Sequence, residues 1–160
     1  MSGWENFFVG ELGASAALTG LVFVGVSINL TKIMSSSNLI NRALEALVAL
    51  VVVLFISSLL LIPGQAFLAS GIEVLVIGLL DWMTMLLLQL TTLRKMQPQY
   101  RGAFARIIVP SQMAALSFVI AGVVLLIFGT GGLYWIVAAI LLSFLAAFVG
   151  AWVLLIEINR

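Results

Sequence analysis

Apolar residues fall along this chain in five blocks, each long enough to cross a bilayer as a helix, which takes about 20 residues. The blocks cover roughly 6–31, 43–62, 66–92, 107–128 and 133–156. Pro63-Gly64 closes the second, and Gly129-Thr130-Gly131-Gly132 separates the fourth from the fifth. A four-span arrangement would bury one of these breaks inside a helix, where Pro and clustered Gly are disfavoured. The predicted fold is therefore all-α: one transmembrane domain over 1–160, a bundle of five helices.

Charge placement supports five spans independently. Lys32 and Arg42 flank the first connection, Arg94, Lys95, Arg101 and Arg106 fill the third, and Arg160 ends the chain. The second and fourth connections carry no basic residue. All 7 Lys and Arg then lie on one side, which the positive-inside rule makes cytoplasmic, with the N-terminus outside. Trp4, Tyr134 and Trp135 are expected at the outer interface, and Trp152 and Tyr100 near the inner one. Residues 1–10 contain no Lys or Arg and include Glu5, unlike the basic start of a cleavable signal.

Small residues pattern the first span. Gly10, Gly13, Ala17, Gly20 and Ser27 follow a 3-4-3-7 spacing and share one narrow stripe. Lipid tails are as apolar as Leu, so bilayer helices gain from dense packing and close backbone approach. The stripe predicts a central first helix, packed against neighbours or against its own copy in a homo-oligomer. Glu11, Ser15 and Thr19 form a second stripe at i, i+4, i+8 beside it.

Acids inside spans are costly, about 2.5–3.5 kcal/mol on insertion scales. Glu11 and Glu73 are placed one or two turns from the outer surface, and Asp81 near the middle of the third span. No Lys, Arg or His lies deep in any span, so Asp81 has no deep cationic partner in its own chain. Its options are protonation, a bound cation, bound water, or hydrogen bonds from Thr84, Thr19, Ser57, Ser58 or Ser117. Three readings stay open: interhelical glue, an ion or proton pathway shared with Glu11 and Glu73, or a shallow placement of the segment. Glu45, three residues after Arg42, is expected in an exposed pair at the cytoplasmic end, with Glu157 near Arg160. Gln89, Thr91 and Thr92 carry polar character toward the cytoplasm, and Ser111 and Gln112 follow Pro110, which is expected to bend the fourth span.

Composition excludes much else. Hydrophobic residues make up 64% and charged residues 8%, against roughly 45–50% and about 25% in soluble domains. With no Cys and no His, disulfides, thiol chemistry and most zinc or haem ligation are out, and no cofactor or metal is expected. The net charge of +1 gives no strong pull on nucleic acid. Without His or a buried Lys, Ser-based nucleophilic schemes fail, and a single Asp cannot make an aspartyl dyad. An enzyme is not expected. The expected contacts are the lipid bilayer, sister copies and another membrane protein. Arg94, Lys95, Arg101 and Arg106 could meet anionic headgroups, at about 1 kcal/mol each, or such a partner.

The opening WENFFVGELGASAALTGLVFVGVSINLTKI and the ending AWVLLIEINR resemble a family of small, uncharacterised bacterial inner-membrane proteins. Those share a W-x-x-F-F start, an A-A-L-x-G-L-x-F-V-x-V-S-I-N-L helix and an A-W-V-L-L-x-E-I end. The resemblance covers the first and last helices. It implies a bacterial inner-membrane location, and that Ser27, Asn29, Trp152 and Glu157 belong to the signature with the small seam. It brings no established activity. The functional expectation is a small oligomeric channel or ion-translocating protein, selective for cations or protons. The rival is a non-transporting scaffold or regulatory subunit.

Overall fold

The computed structural model describes residues 3–35, 37–95, 97, 99 and 101–158, without the side chains of 37, 38, 95, 101–103, 105–107 and 153–158. The described residues form six helices: α1 (Glu5–Ile28), α2 (Leu30–Met34), α3 (Ser37–Leu60), α4 (Phe67–Lys95), α5 (Arg101–Phe128) and α6 (Gly131–Ile158). Five of them are long and apolar enough to cross a membrane, and the chain is a multi-pass helical membrane protein.

The breaks fall where local chemistry favours them. Gly64 and Gly129 take left-handed backbone, φ +71° and +57°, at the two tight turns, a conformation costly for other residues. Asn29 ends α1, its side-chain amide donating to the Gly25 carbonyl at 3.0 Å. This detaches the short α2, which the apolar pattern had merged with the first span. Pro110 does not end α5, which runs through it.

α3, α4, α5 and α6 close into a ring: α4 lies along α5, α5 along α6, and α3 touches both α6 and α4. The interior is apolar and dense. Val53, Ile56, Val74, Phe118, Ile136 and Ile140 are fully buried within it. α1 lies outside the ring along α3. Its first turn reaches α6, where Trp4 meets Tyr134 edge-on at 5.1 Å. The first helix is therefore peripheral in the chain, not central as its small residues suggested.

The reason is visible in the glycines. A Cβ on Gly122 of α5 would sit 2.6 Å from the Leu75 backbone of α4, one on Gly78 of α4 would sit 2.9 Å from Val119 N, and one on Gly132 of α6 would sit 2.5 Å from Leu125 N. These three let α4, α5 and α6 approach backbone to backbone. Gly10, Gly13 and Gly20 meet nothing within 4 Å, and Ala17 and Ser27 are also exposed. The α1 seam faces away from the rest of its own chain.

Gly122→Ala is expected to overpack the α4–α5 contact and cost about 1–3 kcal/mol, seen as a lower thermal midpoint in detergent. Gly13→Ala, with open space around it, is expected to leave the midpoint unchanged or raise it, since Ala is the better helix former by about 1 kcal/mol. A fall at Gly13→Ala would show instead that the seam is packed against a copy.

Candidate functional site

Asp81 sits midway along the 28-residue span Phe67–Arg94, about 20 Å from either end at 1.5 Å per residue. It belongs to the buried stripe of α4, which runs Gly71, Val74, Gly78, Asp81, Met85, Gln89, Thr92. The residue is 5% exposed, and its Oδ1 is buried without a hydrogen-bond partner. Such an orphan is expensive in a low-dielectric setting.

A groove of about 490 Å³ lies over this carboxylate between α3 and α4. Leu47, Val51 and Phe55 of α3 and Ile77, Asp81 and Thr84 of α4 are among its walls. Gly71 and Gly78 of α4 lie against α5, and among the described residues no glycine draws α4 equally close to α3. The two helices are clasped again further on. Asn41 of α3 donates its amide to Thr92 Oγ1 at 2.8 Å, to Thr91 Oγ1 at 3.1 Å and to the Leu88 carbonyl at 3.3 Å. The groove is thus held between this clasp and the Pro63-Gly64 turn, at mid-span. It opens on the flank of the bundle, where Phe55 and Leu80 are 54% and 63% exposed.

The hydroxyls expected to serve Asp81 do not. Thr84 donates to the Leu80 carbonyl at 2.8 Å, Thr19 to Ser15 at 2.7 Å, Ser58 to Leu54 at 2.8 Å and Ser117 to Met113 at 2.7 Å. A hydroxyl has one proton to give, and each of these gives it to its own helix backbone. Ser57 is fully buried, and its Oγ has no partner.

The three acids do not meet in that groove. Glu73, about two turns into α4, accepts from Gln65 Nε2 at 2.7 Å, and Gln65 Oε1 accepts from Ser70 at 3.2 Å. Glu11 lies on α1, which runs along α3, and is not among the groove's walls. The Glu11, Ser15, Thr19 stripe does turn inward: Ser15 is fully buried, donating to the Leu12 carbonyl at 3.0 Å, and Glu11 Oε2 is buried with no partner. Among the described residues, no three His, Cys, Asp or Glu side chains gather closely enough to hold a metal.

A polar layer near the Lys32 end was not anticipated as a unit. Gln112 of α5 donates to Gln89 Oε1 of α4 at 2.6 Å and accepts from Trp82 Nε1 at 3.0 Å. Both glutamines stand out in the sequence as polar groups inside apolar blocks, but only the bundle shows that they face each other. Arg42 corrects the expected exposed pair. It is 9% exposed, with its guanidinium 5.5 Å from the centre of the Phe104 ring, a cation–π contact. Glu45 is half-buried one turn on. Arg42, Glu45, Pro110 and Ser111 help to line a cavity of about 20 Å³ between α3, α5 and α6, room for about one water.

Of the four basic residues assigned to headgroups or a partner, Arg94 is exposed, and the side chains of Lys95, Arg101 and Arg106 lie outside the described residues. So do Tyr100, Arg160 and the side chain of Glu157. Trp152, at 58% exposure, stacks on Phe148 at 6.4 Å.

No family model, curated protein or solved structure matches this chain significantly. The resemblance of its two ends to a bacterial inner-membrane family thus gains no further support, and the class that stands is a multi-pass helical membrane protein.

Gln112→Leu is expected to strand Trp82 Nε1 and Gln89 Oε1 and to cost about 1–3 kcal/mol, read by thermal unfolding in detergent. Pairing it with Gln89→Leu should recover part of the loss, because one buried amide is then no longer orphaned. Equal loss in the single and double variants would show that the two amides are not coupled.

Proposed function

We propose that this protein binds and moves a cation, a proton being the smallest, at Asp81. One observation carries this reading: a carboxylate in mid-membrane whose buried Oδ1 has no partner, in a groove that opens on the flank of the bundle. Acids at this depth mark substrate or ion routes by default, because keeping them costs stability. A pore down the axis of a single chain is disfavoured, since Ile56, Phe118 and Ile140 fill that axis. The route is lateral, along α3 and α4. Glu11 and Glu73 lie toward the Trp4 end of their spans and outside the groove walls, so Asp81 alone carries the site.

In this reading the protein sits in a bacterial inner membrane with its basic connections cytoplasmic and its N-terminus outside. It works as a homo-oligomer joined through the outward seam of α1. A second reading, a non-transporting subunit that binds another membrane protein, is favoured by the same seam: Gly10, Gly13, Ala17, Gly20 and Ser27 are exposed and have no partner helix among the described residues.

Purified protein in liposomes should pass protons or potassium above the empty-vesicle rate. Asp81→Asn should cut that flux by at least about tenfold, the equivalent of 1.4 kcal/mol. Circular dichroism and size exclusion would show that the variant is folded. Tight liposomes would overturn the translocation reading and favour the subunit reading. Orientation is open to a clean test because the chain has no native Cys. Ser35→Cys should resist a membrane-impermeant maleimide on whole cells, and Thr130→Cys should react; the reverse pattern would invert the topology.

A further inference from the structure

We propose that the α3–α4 groove is a binding site for an organic cation with apolar substituents, taken up sideways from the bilayer. The inference rests on Asp81 being the working group, and it names what that group holds.

Three properties select this chemistry. The groove's volume of about 490 Å³ falls within the roughly 300–1,000 Å³ of small-molecule sites, which are mostly apolar with a few placed polar groups. Its walls are apolar apart from Asp81 and Thr84, and Thr84 has already given its proton to Leu80. The one wall group left without a partner is the Asp81 carboxyl, and in its ionised form it selects a ligand that brings a positive charge or a donor. Phe55, on the rim, adds an aromatic face of the kind that attracts organic cations.

Other occupants fit less well. A resident Ca²⁺ or Mg²⁺ ion wants about six to eight oxygen ligands, and this groove offers Asp81 and Thr84. A second copy of the chain has no Lys, Arg or His deep in a span to present. A phospholipid keeps its charged head at the membrane surface, about 20 Å from Asp81 by helix rise. The groove lies along the helix pair between the Asn41–Thr92 clasp and the Pro63-Gly64 turn. Its opening lies on the flank, between Phe55 and Leu80, where a membrane-dissolved cation would arrive.

Tetraphenylphosphonium tests this directly, with tetraphenylborate as a control of the same shape and opposite charge. Equilibrium dialysis of the detergent-purified chain should show saturable phosphonium binding, one per chain, and at least about tenfold weaker borate binding. Asp81→Asn should weaken phosphonium binding by at least about tenfold. Val51→Trp, which fills the groove and keeps the carboxylate, should abolish it. Absent saturation, equal affinity for the borate, or full binding by Val51→Trp would overturn the proposal. Binding without proton or potassium flux would remove ion translocation and leave the site intact; flux without phosphonium binding would do the opposite.

Discussion

Two helices in a bilayer come closest where small residues, glycine above all, let their backbones approach, because lipid offers no hydrophobic penalty to push them together. α4 has two neighbours and spends its glycines on one. Gly71 and Gly78 meet α5, and Gly122 of α5 answers against Leu75. The same choice leaves α4 standing off from α3 at mid-span. Asp81, on the next turn after Gly78, comes to lie over the resulting groove. The groove, the unpartnered carboxylate and the functional reading all descend from that asymmetry in packing.

Hydrogen bonding then sorts the polar residues by reach. Short hydroxyls fold back onto carbonyls of their own helix, as at Ser58, Thr84 and Ser117. Longer amides cross between helices, as Gln112 does to Gln89 and Asn41 to Thr92. The crossing bonds gather near the Lys32 end and tie α3, α4 and α5 together there. Arg42 under the Phe104 ring belongs to the same region. Asp81 lies beyond this layer, at a depth where no amide on a neighbouring helix supplies its Oδ1.

The spans were legible in the sequence because hydropathy, turn residues and charge asymmetry agree on them. The first block ran past Asn29, because an apolar average does not register one side chain that caps a carbonyl. The spacing of Gly71, Gly78, Asp81 and Met85 carries the α4 stripe in the same way as the small residues of α1 carry theirs. Glycine spacing identifies a surface able to pack, while the neighbour that uses it is a property of the whole bundle. Arg42 and Glu45 were expected in water because they begin a span; Phe104, from a distant part of the chain, covers the arginine. Thr84 is near Asp81 in sequence, but its shortest route is to the Leu80 carbonyl.

The claim most open to direct attack is that Asp81 is reached from the hydrocarbon side of the bundle. A lipid-soluble carbodiimide, which couples to carboxyl groups from within the membrane, reads this in one step. Treatment of the protein in lipid at mildly acidic pH, followed by peptide mass spectrometry, should place the adduct on Asp81, and prior addition of tetraphenylphosphonium should protect it. Labelling confined to other carboxylates, with Asp81 left intact, would mean that the groove is closed in the membrane and would contradict the account.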